Sequence, residues 1–133
     1  IGVAIKAQEM ALEYVPQRET FGAPLSSRQS IQWMLVDNEI DIKQSLWITL
    51  EAAAKAERGE NFRKEAAMAK LVATEAGGRV VDRCMQMFGG LGVAKDLPFE
   101  RWFREMRIRR IGEGPSEVQR HVIARELLGS SLR

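Results

Sequence analysis

The side chain best suited to chemistry is Glu113, which stands between Gly112 and Gly114 in the stretch Arg110–Arg120. A carboxylate on a short turn bounded by glycines can reach a buried ligand, because the flanking residues have no side chains that block the approach. A carboxylate placed in this way can act as a general base when its surroundings tune its proton affinity. An ordinary solvated turn between two helices is the alternative, and the local sequence taken alone favours it.

The residues after Glu113 predict the start of a helix. Pro115 suits the first helical position, and Ser116 and Glu117 follow in a first turn whose amide groups and dipole favour anions.

Other candidate groups are less specific. The segment Gly90-Leu-Gly92 is superficially similar to a dinucleotide-binding loop, but the third glycine is missing and a predicted helix, not a strand, precedes it. Cys84 is the single cysteine and is expected to be a buried, unreactive thiol. His121 is the single histidine, which excludes a metal site built from several histidines.

Four arginines recur at steps of three and share one face of a predicted helix: Arg101, Arg104, Arg107 and Arg110. A nucleic-acid site on this face would predict binding with a steep salt dependence. Glutamates lie close by in the sequence, so a salt-bridged surface is the favoured interpretation.

The composition is that of one globular domain: 133 residues, 45% hydrophobic and 29% charged, with a net charge of +2. No apolar run is long enough to span a bilayer, and no signal-peptide pattern is present. The lack of disulfide potential indicates a reducing interior, such as a bacterial cytoplasm or the mitochondrial matrix. Because the sequence starts at Ile1 inside a helical pattern, we expect a longer polypeptide.

Hydrophobic periodicity predicts an all-α fold without a clear strand. Helices are expected over 1–15, over a long segment that is capped by Ser26 or Ser27 and runs to about 58, and over about 62–88, 98–107 and 115–128. Two long helices flanked by shorter ones fit an antiparallel, up-and-down four-helix-type bundle over residues 1–133. Gly77 and Gly78, inside the second long helix, predict the close approach of a neighbouring backbone.

Three segments together are more specific than any of them alone. They are Arg18-Glu-Thr-Phe-Gly22 followed by Gln29, Gln86-Met-Phe-Gly-Gly90-Leu-Gly92, and Ile111–Arg120 followed by Ile123-Ala-Arg-Glu126. In this order and at these separations, they closely resemble the C-terminal helical, FAD-binding domain of the acyl-CoA dehydrogenase family. The resemblance covers essentially the whole chain and implies that an N-terminal helical domain and a middle β-domain lie upstream.

The resemblance also implies a reaction. Members of the family are flavoproteins of fatty acid metabolism that carry out α,β-dehydrogenation of an acyl-CoA thioester: a glutamate removes the α-proton and the β-hydrogen leaves as hydride to FAD. They form homodimers or homotetramers, and electron-transfer flavoprotein is the expected acceptor. The isolated chain is expected to be inactive, because most of the flavin and acyl pocket would be missing. An acyl-CoA oxidase-like flavoprotein and a non-catalytic helical assembly module that has lost FAD are the alternatives.

Carried over residue by residue, the resemblance implies that Glu113 is the catalytic base and that Gly114 lies against the substrate. It implies cofactor contacts, several of them across a dimer, for a larger set and no metal site: Arg18, Thr20, Phe21, Arg28, Gln29, Gln86, Gly89, Gly90, Pro115, Ser116 and Glu117.

Two positions depart from the family pattern. Gly112 stands where many members carry an aromatic residue, which predicts a wider acyl pocket suited to bulky or branched acyl groups. Pro115 stands where many members have threonine, and proline has neither a hydroxyl nor an amide hydrogen for a polar contact with FAD.

Overall fold

The fold is known from a computed structural model that describes residues 1–129. Its elements in chain order are α1 (Gly2–Tyr14), β1 (Glu19–Thr20), β2 (Ala23–Pro24), α2 (Gln29–Glu57), α3 (Arg63–Phe88), α4 (Gly90–Val93), α5 (Phe99–Ile111) and α6 (Ser116–Leu128). The all-α class and the up-and-down four-helix-type bundle are confirmed.

The two long helices α2 and α3 form an antiparallel hairpin. Near the connecting residues 58–62, Lys55 of α2 pairs with Glu65 of α3 at 2.7 Å. Farther along, Asp41 of α2 pairs with Arg79 of α3 at 2.6 Å. Since α3 also packs against α1, α5 and α6, it is the central helix of the bundle.

The core lies where α1, α2 and α5 meet α3. The α1 face that is buried in it consists of small residues, Ala4, Ala7 and Ala11, at helical spacing. On α3, Val80 and Val81 are fully buried beside them. Small side chains on α1 allow its backbone to approach α3 closely, and the larger α3 side chains fill the interior.

A buried polar cluster fixes the relative positions of α1, α2 and α3. Asn38 donates to Gln8 Oε1 at 2.9 Å and accepts from Arg83 at 3.2 Å. Arg79 and Arg83 both donate to Asp41, at 2.6 and 2.7 Å. Burial raises the pKa of Asp41, but the two guanidinium groups outweigh it, so the pKa lies below its usual range. Polar side chains that satisfy one another in this way specify one register of the helices.

Several helix ends differ from the sequence prediction. Neither Ser26 nor Ser27 caps α2: a 3-10 turn over Leu25–Ser27 precedes Arg28, and the Ser27 hydroxyl donates to the Pro24 carbonyl. The last helix begins one residue later than predicted, because Pro115 has an extended ψ of 167° and stands just outside it.

Helix α5 is longer than predicted and reaches Ile111. Its last turn carries Arg110, which pairs with Glu75 of α3 at 2.7 Å. The neighbours of the two interior glycines of α3 also belong to α5. A Cβ added at Gly77 would lie 3.1 Å from Met106 Sδ, and one at Gly78 would lie 3.8 Å from Arg110 Cδ. The predicted approach of a neighbouring backbone was therefore wrong, since side chains fill this space.

The short hairpin of β1 and β2 was not predicted. Glu19 pairs with Pro24 and Thr20 with Ala23, in antiparallel register. The two turn residues have positive φ, 51° at Phe21 and 73° at Gly22, as a type I′ turn requires. Strands of two residues are too short to show an alternating pattern, which explains why the sequence does not reveal them.

Candidate functional site

The predicted base, Glu113, stands exposed in the turn between α5 and α6. Its backbone is left-handed, with φ of 54°, and Gly114 follows with φ of 90°. A left-handed conformation costs a residue with a side chain on the order of 1 kcal/mol, whereas glycine adopts it freely. Other contacts must therefore hold Glu113 in this conformation.

Two side chains hold the turn through its carbonyl groups. Lys70 of α3 donates from Nζ to the Gly114 carbonyl. Gln119 of α6 donates from Nε2 to the same carbonyl at 3.0 Å and lies 3.4 Å from the Glu113 carbonyl. The Gln119 amide covers Gly114 so closely that an added Cβ would lie 2.6 Å from Nε2.

A third side chain, Glu75 of α3, joins the two helices on either side of the turn. Its Oε1 accepts from the Ser116 hydroxyl at 2.7 Å, and its Oε2 lies 2.7 Å from Nη2 of Arg110. Burial raises the pKa of Glu75, but the Ser116 hydrogen bond and the Arg110 charge outweigh burial and lower it overall. Sequence reasoning missed both Glu75 and Lys70, because a single charged residue inside a long helix carries no local signal.

Gly112 differs from Gly114 in what the fold demands of it. Its φ of −66° and ψ of 151° are open to every residue type. A Cβ added there would meet only the Ile108 carbonyl oxygen, at an ordinary 3.5 Å. The fold therefore tolerates a side chain at position 112.

A second group of predicted residues lines a cavity of about 420 Å³ at the C-terminal end of α3. Its walls comprise Tyr14, Arg18, Thr20, Leu25, Gln86, Met87, Phe88, Gly89, Gly90 and Leu91. Five of the predicted cofactor residues, from segments far apart in the sequence, are thus brought together.

Aromatic stacking builds this cavity. Tyr14 stacks on Phe88 with 4.1 Å between ring centroids and 14° between ring planes, and Phe88 packs on Phe99 at 4.7 Å. Beyond Tyr14, the amide of Leu25 donates to the Arg18 carbonyl at 2.6 Å and closes the base of the hairpin. The end of α1, the hairpin and the end of α3 therefore form one assembly.

The glycines at the end of α3 have different roles. Gly89 terminates the helix with φ of 60°. A Cβ added at Gly90 meets nothing within 4 Å, so the chain's own packing does not exclude a side chain there. At Gly92 an added Cβ would lie 2.7 Å from the Met85 carbonyl oxygen, because α4 lies directly against α3. Gly90 leaves the cavity wall bare, whereas Gly92 permits the close packing of α4.

The hairpin presents Phe21 at its tip, where the side chain is 100% exposed. Arg28 supports the hairpin from below: its Nη2 donates to the Thr20 carbonyl and lies 3.5 Å from the Phe21 carbonyl. Gln29 is exposed at the first position of α2.

The two groups of residues do not meet within one chain. The turn and helix start over residues 113–117 lie beside Glu75, near the middle of α3, whereas the hairpin and the glycine-rich segment lie at the Phe88 end. At 1.5 Å per residue, about 20 Å of helix axis separates Glu75 from Phe88.

Groups outside these two clusters take part in packing and ion pairing. Cys84 is buried, and burial raises its pKa to about 12 although Asn38 and Arg83 oppose the shift. The expected salt bridges on α5 are present, with Arg104 pairing with Glu100 at 2.9 Å and Arg101 with Glu105 at 3.5 Å.

Within residues 1–129, no helix has the length and apolarity to cross a membrane, and no cluster of metal-ligand side chains occurs.

Residues 1–128 match the family model of the acyl-CoA dehydrogenase C-terminal domain. The chain belongs to this family. It is 42% identical over 130 residues to the mitochondrial short-chain specific acyl-CoA dehydrogenase of Bos taurus, a match that covers 98% of the chain and 32% of that relative.

Solved structures show the same fold. The chain resembles butyryl-CoA dehydrogenase from Megasphaera elsdenii with a TM-score of 0.92 and 38% identity, over 96% of the chain and 33% of that protein. It also resembles PigA in its FAD complex, with a TM-score of 0.90 and 27% identity, over 93% of the chain and 32% of that protein. The chain therefore spans about a third of the length of the relatives that it matches.

Proposed function

We propose that this chain is the C-terminal domain of an FAD-dependent acyl-CoA dehydrogenase and that Glu113 is the base that removes the substrate's α-proton. The observation that carries the proposal is the placement of Glu113. An exposed carboxylate is held in a left-handed conformation by side chains from two other helices. Strain maintained by its surroundings in this way is typical of functional positions.

The reaction requires a proton transfer at this carboxylate. The α-carbon–hydrogen bond of the acyl thioester breaks, Glu113 takes the proton, and the electron pair forms the new double bond as the β-hydrogen leaves. A bound FAD would supply the acceptor for that hydride. Ile111 and Val118, on either side of the turn, are exposed apolar residues that a substrate or a covering domain would bury. Covering them would exclude water from the base, as abstraction of a weakly acidic proton requires.

The cavity at the C-terminal end of α3 has the chemistry to hold the pyrophosphate and adenosine of FAD. It combines the Arg18 guanidinium, the Thr20 hydroxyl, the Gln86 amide and the bare backbone at Gly89 and Gly90. Arg18 makes no ion pair with any residue of the 1–129 range, so its charge is available to an anion. Guanidinium and backbone amide groups are the usual partners of phosphate oxygens.

The resemblance to the family implies cofactor contacts across a dimer. We therefore propose that the cavity of one chain holds the adenosine end of the flavin that lies beside Glu113 of the neighbouring chain. Phe21 supports contact with a neighbouring subunit, because a fully exposed aromatic side chain in a left-handed turn has no role inside its own chain. We accordingly propose a homodimer or homotetramer, with electron-transfer flavoprotein as acceptor.

The proposal is tested on the complete polypeptide that carries this chain, by recording its visible spectrum and adding acyl-CoA thioesters without oxygen. We expect a flavin spectrum that one class of acyl group bleaches. Glu113→Gln should retain FAD and lose about 10²- to 10⁴-fold in the rate of bleaching, as for loss of a general base. Glu105→Gln, an exposed glutamate on α5, is the matched control and should bleach at the wild-type rate. A colourless protein that cannot be reconstituted with FAD would contradict the proposal.

We further propose that Gly112 widens the acyl pocket for bulky or branched acyl groups. Its support is that the backbone and the space at position 112 both allow a side chain, so packing does not require glycine there. Gly112→Tyr should slow turnover of bulky acyl-CoA thioesters more than that of short straight ones. Equal effects of this substitution on both kinds of substrate would contradict the idea.

A further inference from the structure

Glu75 is the residue that ties the helix before Glu113 to the helix after it. One of its carboxylate oxygens accepts a hydrogen bond from the Ser116 hydroxyl, and the other lies beside the Arg110 guanidinium. Both distances are 2.7 Å. Ser116 is only 5% exposed, so its hydroxyl is shielded from water that would compete for the same bond. Hydrogen bonds to a charged group in such surroundings are stronger than neutral ones.

The turn itself contains little that would hold it. Two of its residues are glycines, and Glu113 occupies a conformation that costs free energy. The position of the Glu113 carboxylate therefore depends on how the last turn of α5 and the first turn of α6 are fixed relative to α3. Glu75 fixes both, and Lys70, more than one helical turn away on α3, holds the Gly114 carbonyl between them.

We propose that Glu75 is a positioning residue for the base: by holding both ends of the 111–115 turn, it places the Glu113 carboxylate against the α-carbon of the acyl thioester. This inference rests on the proposed role of Glu113. A displacement of about 1 Å in a reacting group can cost about 10²-fold in rate, even when the altered residue is remote from the chemistry.

The effect of the Glu75 charge can be separated from its effect on the position of the turn that carries Glu113. Glu75 faces positive charges from three elements, namely Arg79 on its own helix, Arg110 on α5 and Arg120 on α6. Removing its carboxylate therefore changes the local charge as well as the geometry. Ser116→Ala removes one anchoring bond and leaves every charge in place, whereas Glu75→Gln removes the charge and leaves an oxygen that can accept from Ser116.

The experiment uses the complete flavoenzyme and its best acyl-CoA substrate, mixed rapidly without oxygen. For each variant, FAD content, the substrate dissociation constant and the limiting rate of flavin reduction are measured separately. We expect Glu75→Ala to lower the limiting rate about 100-fold, with FAD content and substrate affinity unchanged, and Ser116→Ala to lower it about tenfold. Glu75→Gln should recover part of the rate lost in Glu75→Ala. Hydrogen exchange at the amides of residues 112–114 should become faster in Ser116→Ala and fastest in Glu75→Ala.

The matched control is Glu100→Ala. Like Glu75, Glu100 pairs with an arginine: it lies 2.9 Å from Arg104, four residues along the same helix. It makes no contact with the turn that carries Glu113. Its flavin reduction rate should equal that of the wild type.

The outcomes distinguish this inference from the proposed function. If Glu113→Gln abolishes flavin reduction while Glu75→Ala and Ser116→Ala reduce flavin at the wild-type rate, the positioning role is overturned and the proposed function stands. If Glu113→Gln is itself unimpaired, the proposed function fails. Loss of FAD from Ser116→Ala would assign Ser116 to cofactor binding and overturn the positioning role. If Glu75→Ala does not fold, Ser116→Ala decides the question by the same criterion.

Discussion

Tyr14 and Phe88 lie face to face, with 4.1 Å between their ring centroids, although one ends α1 and the other ends α3. The chain continues from Tyr14 into the Arg18 hairpin and from Phe88 into Gly89 and Gly90. The stack therefore joins the two segments that line the 420 Å³ cavity at the point where each leaves its helix. Since Phe88 also packs on Phe99, the cavity is attached to the core.

Phe88→Ala should destabilise the fold and open the cavity at the same time. Truncating a buried phenylalanine costs about 3–5 kcal/mol, through lost burial and the void left behind. We expect chemical denaturation to show this loss, and the complete enzyme to retain less FAD. Phe103→Ala is the control: Phe103 is exposed on α5, so its truncation should change the free energy of unfolding by less than about 0.5 kcal/mol. Equal losses in the two variants would contradict the role of the stack.

Gly90 and Gly92 should respond oppositely to alanine. Gly92→Ala places a methyl group against the Met85 carbonyl, so α4 must move away from α3, at a cost of about 1–3 kcal/mol. Gly90→Ala meets no atom of the chain and should leave the free energy of unfolding almost unchanged. The same methyl group would stand in the cavity and should weaken FAD binding in the complete enzyme. An unfolding curve for Gly92→Ala that superimposes on the wild type would rule out this account of the packing.

A similar pair of substitutions tests the Glu113 turn. Gly114→Ala puts a side chain on a residue with φ of 90° and should destabilise the domain by about 1 kcal/mol or more. Gly112→Ala, at a φ of −66°, should be neutral or slightly stabilising, because alanine restricts the unfolded chain. Thermal unfolding of both variants under one set of conditions provides the comparison. A more destabilised Gly112→Ala would show that the turn has a different backbone.

Acid stability should report the ion pair between Lys55 and Glu65. The hydrogen bond from Lys55 lowers the pKa of Glu65 from 4.5 to about 2. A carboxyl group whose pKa is lower in the folded state stabilises the fold fully above its unfolded pKa, and loses that contribution as the pH falls. The stability difference between wild type and Glu65→Gln should therefore be constant above about pH 5 and shrink between pH 4.5 and 2.

The control for acid stability is Glu39→Gln, because Glu39 is exposed and lies 3.7 Å from Lys43. An exposed pair of this kind contributes little, so its denaturation curves should follow those of the wild type across the range. Parallel pH dependences for wild type and Glu65→Gln would contradict the assignment.

The helices could be predicted because their signals are local. Small residues at positions 4, 7 and 11 repeat at helical spacing, and proline and glycine mark the breaks between elements. The cap of α2 could not be predicted in the same way. Ser26 and Ser27 are suitable residues, but a 3-10 turn packs Leu25 against the core, and Arg28 takes the cap position instead.

The candidate residues could be named from the sequence, but not their supports. Arg18, Gln86 and Glu113 were found through motifs, whereas Lys70 and Glu75 act only through contacts with residues more than 30 positions away. Such contacts exist only once α3 is packed against α5 and α6. The hairpin of β1 and β2 was missed for a different reason, because its two strands contain only two residues each.

The length of helix α3 determines how the two clusters are placed relative to each other. The residues from Glu75 to Phe88 set both the distance between the two clusters and the angle between them around the helix axis, because each residue adds 1.5 Å and turns the helix by about 100°. Inserting one residue between Gly78 and Gln86 would rotate the glycine-rich end to another side of the bundle while the turn at Glu113 stayed in place. The side chains of either cluster can change by substitution, but the segment of α3 between the clusters cannot gain or lose a single residue without changing their relative orientation.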